Sequence, residues 1–233
     1  MRDAGADWID VGGESTRPGA DAVDPREEQA RVLPVVRALV DAGIPVSIDT
    51  RNAVTAFAAV EAGATIINDV SGGLYDPEMA AVAAETGATF VVMHWRGGAD
   101  AAPEYGDVVA EVRAELKARV AELIVVGVKP EQIIIDPGLG FAKNAEHNWQ
   151  LLRAIDRFTP IAPVLIGASR KRFIGRLLPE GAPLVERDAP TATISALSAA
   201  GGAWGVRVHD VAATRLALDV WDHWRTGGAV DRD

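Results

Sequence analysis

Residues 132–144 read QIIIDPGLGFAKN. An apolar run, Gln132–Ile135, ends on an acid at Asp136 and breaks into a glycine-bearing loop, DPGLGFAKN (Asp136–Asn144). A strand that is apolar throughout, rather than alternating, belongs to a sheet covered on both faces. The same signature recurs at Trp8–Val11, Pro45–Ile48, Thr65–Asn68, Thr89–His94, Pro163–Ile166 and Gly205–Val208. Helical patterns lie between these runs. Asp24-Pro25 supplies an N-cap and an N1 proline with Glu27 at the capping-box position, and Gly43 closes that segment. Pro34 is expected to kink or split this helix. Asp76-Pro77 opens another helix that ends near Gly87. Val108 to Val126 is the longest helical stretch, and Asp210 caps a last helix reaching about Gly227.

Strand–helix alternation without a composition break predicts one domain over residues 1–233, built on a parallel sheet. A doubly wound sheet and a closed barrel both fit that order. The runs supply seven strands, and a closed (β/α)8 TIM barrel needs eight. The last strand has its helix, so the shortfall falls at the front.

Composition narrows the function. The 233 residues carry a net charge of −10, and no basic stripe offers a nucleic-acid footprint. An anionic ligand must be held by local cations against that background. Zero cysteines exclude disulfides and thiolate metal sites. No apolar run reaches the roughly 18–20 residues of a membrane span. The first residues have no signal-peptide pattern. A cytoplasmic protein is therefore expected, with no nucleic-acid or membrane partner.

Polar residues gather at the strand ends: Asp10, Asp49, Asn68 with Asp69, His94, Asp136, Ser169-Arg170-Lys171, and Arg207 with His209. In a parallel α/β protein these ends share the face on which sites are built. A single strand-terminal Asp is more often a helix cap; Asp210 reads that way, and Asp69 fits either role. The coincidence across all seven strands points to a ligand. Asp49, Asn68 and Asp136 offer acceptors suited to the planar N–H edge of a guanidine-like heterocycle. Lys171, Arg207 and His209 offer donors for phosphate or diphosphate. The ligand type is thus an amino-heterocycle with an anionic tail. GGESTRPGA (Gly12–Ala20) and the Asp136–Asn144 loop add closely approaching backbone, each a weak signal alone. No P-loop or dinucleotide fingerprint is present. The four histidines lack zinc spacing; His147 and His223 read as helix-surface residues, and His94 as a pocket wall or a packed strand end.

DVGGESTRPGA, SIDT, INDVSGG, VVMHWR, DPGLGFAKNAEHNW, GASRKRFIG and GVRVHDV, taken in order, resemble the dihydropteroate synthases over most of the chain. The resemblance implies a TIM barrel in folate biosynthesis. It implies condensation of 7,8-dihydropterin-6-ylmethyl diphosphate with 4-aminobenzoate, with release of pyrophosphate, and a target for sulfonamides. Position by position, it makes Asp49, Asn68, Asp136 and Lys171 the pterin-holding set, with Asp10 beside them. Met93, Phe141 and Gly167 become pocket walls, Arg207 and His209 the diphosphate site, and Thr16 and Arg17 part of a loop over aminobenzoate. Of these, Asp49, Lys171, Arg207 and His209 are the expected catalytic set. Mg²⁺ is implied, bound mainly through the substrate diphosphate, and so is a homodimer.

Two departures stand out. Where many relatives have serine after SRK, this chain has Arg172, which either pairs with the aminobenzoate carboxylate or faces solvent. The family's first strand and its loop have no counterpart, and with them goes an asparagine that serves the Mg²⁺–diphosphate group. The expectation is a barrel begun one βα unit late, the later part of a longer protein. Two alternatives accompany the synthase reading. One is a methyltetrahydrofolate-binding methyltransferase domain, which has no use for the diphosphate donors. The other is a truncated pterin-binding homologue without turnover.

Overall fold

A computed structural model describes residues 1–15, 23–97 and 104–228. Seven parallel strands alternate with helices: β1 (Ile9–Gly12), α1 (Pro25–Asp41), β2 (Val46–Asp49), α2 (Ala53–Glu61), β3 (Ile66–Asp69), α3 (Met79–Thr86) and β4 (Thr89–Met93). There follow α4 (Val108–Val126), β5 (Ile133–Asp136), α5 (Ala145–Arg153), β6 (Leu165–Ile166), α6 (Arg172–Gly175), α7 (Asp188–Ala200), β7 (Gly205–Val206) and α8 (Val211–Thr226). β1 to β5 pair in chain order, β6 pairs with β7, and a single bridge from Ile135 to Val164 joins the two groups.

Among the described residues no backbone pairing joins β1 to β7, so the barrel is not closed by hydrogen bonds. Its two edges nonetheless face one another. The Trp8 and Trp204 rings meet across the gap with centroids 5.7 Å apart, and Arg207 reaches Asp10 from the far side.

Local chemistry explains several helix ends. The Asp24 carboxylate accepts from Arg26 N at 2.9 Å, Asp107 from Val109 N and Ala110 N, and Asp210 from Ala213 N at 3.1 Å. Pro34 does not split α1: one missing backbone bond in a 17-residue helix is outweighed by burial of Val32 and Val36 beside it. The α3 helix begins at Met79, later than Asp76-Pro77 suggests. Asp76 divides its carboxylate, Oδ1 accepting from Glu78 N at 3.0 Å and Oδ2 from Ala53 N at 2.8 Å. It therefore caps α2, whose own Asn52 makes no side-chain cap.

Candidate active site

Strand parity sorts the candidates. Side chains alternate between the helix side and the interior of the ring. Val11, Ile48, Ile67, Phe90, Val92, Ile133, Ile135 and Ile166 face the helices and form the large core. The opposite parity carries a small interior cluster of Ile66, Val91 and Ile134, with Leu165 packed on it. One interior step further along these strands stand Asn68, Met93, Asp136 and Gly167. Asp49 lies opposite Asn68, and Met93 opposite Asp136. Asp10 and Arg207 share the interior parity on the two unpaired edges. An apolar floor thus supports a polar ring at the carboxyl ends of the strands.

The ring is connected. Arg207 donates to Asp10 and, at 3.1 Å, to Asp49 Oδ2. Asn68 Nδ2 donates to Asp10 Oδ2 at 3.2 Å. Lys171 enters from the turn after β6; its Nζ donates to the Leu139 carbonyl and stands 4.9 Å from the Phe141 ring centroid. A Cβ on Gly167 would come within 3.5 Å of Asp136 Oδ2 and 3.8 Å of Lys171 Nζ. Position 167 therefore borders both the acid and the amine. A cavity of about 470 Å³ opens between β1 and β7, and Asp10, Asn68, Arg207 and His209 are part of its wall. Asp49, Asp136 and Lys171 occupy the adjoining strand ends.

Of the Ser169-Arg170-Lys171 triplet, only the lysine turns into the ring. Ser169 Oγ lies 2.8 Å from His209 Nδ1 and accepts from His209 N at 3.1 Å, fixing the histidine. Arg170, at φ 57°, forms a two-pronged pair with Asp188, both bonds 2.7 Å, and so anchors the turn. Arg172 is exposed at the first residue of α6. Thr16 and Arg17 lie outside the described residues. Glu14, among the last described residues before them, forms an ion pair with Arg51.

Two ambiguities resolve on parity. Asp69 faces away from the ring and is a turn cap, accepting from Ser71 N, Ser71 Oγ and Gly73 N. His94 is a packed strand end, 3% exposed, between Glu115 at 3.0 Å and Lys143 at 3.0 Å. Lys143 itself escaped the sequence reading, although it sits inside the quoted Asp136–Asn144 loop.

Burial governs the protonation of the ring. It raises Asp49 from 3.8 to about 7, helped by neighbouring Asp10 and opposed by Arg207. Asp136 is also raised by burial, against the pull of Lys171. Lys171 is lowered to about 8 by burial, against the pull of Asp136. The ring therefore holds one acid, Asp49, and one amine, Lys171, that titrate near neutrality, a pattern common at reactive sites. Mg²⁺ fits this set only as an ion brought by its ligand. Among the described residues no group of three metal-ligating side chains exists, but Asp10 Oδ1 is buried without a partner. One or two carboxylates plus substrate phosphates are the usual Mg²⁺ environment.

Residues 1–209 match the family model described as pterin binding enzyme. The chain is 54% identical to the dihydropteroate synthase of Mycobacterium leprae over 96% of its own length and 82% of that protein. Its structure is similar to that of Xanthomonas albilineans dihydropteroate synthase with 4-aminobenzoic acid, with a TM-score of 0.90, 42% identity and coverage of 98% and 82%. It is also similar to the Burkholderia cenocepacia enzyme complexed with 7,8-dihydropteroate, with a TM-score of 0.91, 40% identity and coverage of 97% and 84%.

Proposed function

The chain belongs to the pterin binding enzyme family, and on that premise we propose that it catalyses the dihydropteroate synthase reaction. In that reaction the pterin methylene loses its bond to diphosphate and gains one to the amine nitrogen of 4-aminobenzoate. The amine gives up a proton, and 7,8-dihydropteroate and pyrophosphate leave. The observation that carries the reading is the polar ring, with Asp49, Asn68 and Asp136 beside Lys171 and Arg207 on an apolar floor.

The acceptors suit the amino-heterocycle and the cations suit the diphosphate. Departure of diphosphate becomes easier as Arg207 and His209 neutralise its charge. The delocalised cation left on the methylene is stabilised by the Asp49 carboxylate. An aromatic amine is a weak nucleophile, so a cation-like path with both partners held in place suits it, without a covalent enzyme intermediate. Mg²⁺, when bound mainly through the diphosphate, would supply further neutralisation of its charge, and Asp10 would be its protein contact.

Titration calorimetry with the pterin diphosphate tests the acceptor assignment. The parent chain is expected to bind, and Asn68→Ala and Asp136→Ala to bind at least tenfold more weakly. Parent-like binding in both variants would remove the pterin from this ring.

The reaction belongs in the cytoplasm, and no helix among the described residues is long and apolar enough to cross a membrane. The assembly we propose is a homodimer. Its support is the apolar surface that α7 and α8 expose together: Leu197, Leu216, Val220 and Trp224, the last 87% exposed. The small residues of α7, Thr191 to Gly201 in the sequence, allow close helix approach.

A further inference from the structure

Behind the ring, on the helix side of β4, lies a buried polar cluster that the proposed chemistry leaves unused. Lys143 Nζ donates to the Gly138 carbonyl at 3.0 Å and the Phe141 carbonyl at 3.1 Å, and lies 3.0 Å from His94 Nδ1. An ammonium has three donors and no acceptor, so each proton has one partner and His94 accepts through Nδ1. His94 then donates from Nε2 to Glu115, which Arg96 holds in turn.

Both carbonyls belong to the loop that serves Lys171. Leu139 accepts from Lys171 Nζ, and the Phe141 ring lies beside that amine. The loop has little slack against β4. Gly138 adopts φ +70°, and a Cβ there would collide with the His94 carbonyl oxygen. The His94 N–H also donates to Asp136 O at 2.8 Å. Loop, strand end and Lys171 thus share one support.

We infer that Lys143 is a positioning residue that pins the 136–144 loop from behind, so that Leu139 and Phe141 hold Lys171 on the Asp136 side of the ring. The inference deepens the proposed function and rests on Lys171 and Asp136 meeting the pterin. Charged and titratable groups face Lys143 from every side: His94 and Arg96 after β4, Glu115 from α4, Asp136 from β5, Lys171 before α6, and the Tyr105 ring. Burial lowers Lys143 to about 7; Asp136 and Glu115 oppose this, while Lys171 and Arg96 add to it. Below that pH all three bonds form. Above it the neutral amine has two protons for three acceptors.

Amide hydrogen exchange of the ligand-free chain, read beside steady-state kinetics, tests this on Lys143→Met and Lys143→Gln. The amides of residues 138–142 should exchange at least tenfold faster than in the parent, with β4 and β5 unchanged. The kcat/KM for the pterin diphosphate should fall at least tenfold, with the KM for 4-aminobenzoate within twofold. Unchanged loop exchange in a folded variant overturns the inference, as does a loosened loop with parent-like kinetics. If the parent is itself inactive, the proposed reaction fails, and loop exchange still decides the clamp. Should neither variant fold, the parent decides. After correction for intrinsic rates, its loop should exchange severalfold faster at about pH 8.5 than at about pH 6 as the amine titrates, and equal protection would refute the clamp.

Discussion

Asp49→Asn should stabilise the protein while removing its activity, and the effect should depend on pH with a definite sign. The folded Asp49 keeps its proton up to about pH 7, against 3.8 ordinarily. Between those values the folded state binds more protons than the unfolded state, so the parent loses stability as pH rises through that window. Asparagine does not titrate and escapes the loss. At roughly 1.4 kcal/mol per pH unit the upper bound is about 4 kcal/mol. Part of the rise comes from the neighbouring Asp10 carboxylate, and Arg207 loses its 3.1 Å contact to the Asp49 carboxylate. The net gain above neutrality should therefore be about 1–2 kcal/mol, or roughly 3–6 °C in Tm for a chain of this size. Thermal unfolding of both proteins at about pH 4.5 and about pH 8 reads it, with a small difference at the lower pH and the full gain at the higher. Turnover should drop at least a hundredfold, in the range for removing a preorganised charge. A variant less stable than the parent at the higher pH, or a difference indifferent to pH, would refute the argument.

Three further outcomes follow from the same geometry. The pH profile of kcat/KM should be a narrow bell, rising as Asp49 ionises through about 7 and falling as Lys143 and Lys171 lose their protons through about 7 and about 8; initial rates across pH check it. Gln132→Ala should cost about 2–4 kcal/mol in denaturant titration, because buried Gln132 bonds the Ala83 and Ala88 carbonyls and Lys129 N. Trp224→Lys should shift the protein towards monomer in sedimentation equilibrium, since a charge then sits in the apolar α7–α8 surface.

The seven strands were legible because each is an apolar run closed by a polar residue, and the structure moves most of their ends by one or two residues. β2, β3 and β5 extend to include Asp49, Asp69 and Asp136 because ladder bonds depend on backbone and not on polarity. β6 and β7 are shorter, two residues each, in keeping with the separate sheet they form. Caps supplied from nearby, at Asp24 and Asp210, could be read directly. The cap of α2 could not, because Asp76 reaches it from 23 residues away. Site residues were legible by chemical type and chain position. Their sorting needed parity: Asn68 faces the ring and Asp69 does not, although the two are adjacent. His94 follows the outward parity of Val92, a signal present in the sequence once the strand's interior face is known. Lys143 had no such signal, since its partners are carbonyls whose positions depend on the folded loop.

The most direct test is pyrophosphate release by the purified 233-residue chain, given the pterin diphosphate and Mg²⁺, with and without 4-aminobenzoate. Release that depends on 4-aminobenzoate, and forms 7,8-dihydropteroate in equal amount, is the result expected if the strand-end ring is the site of condensation. Absence of release from folded protein, or release indifferent to 4-aminobenzoate, would contradict the account.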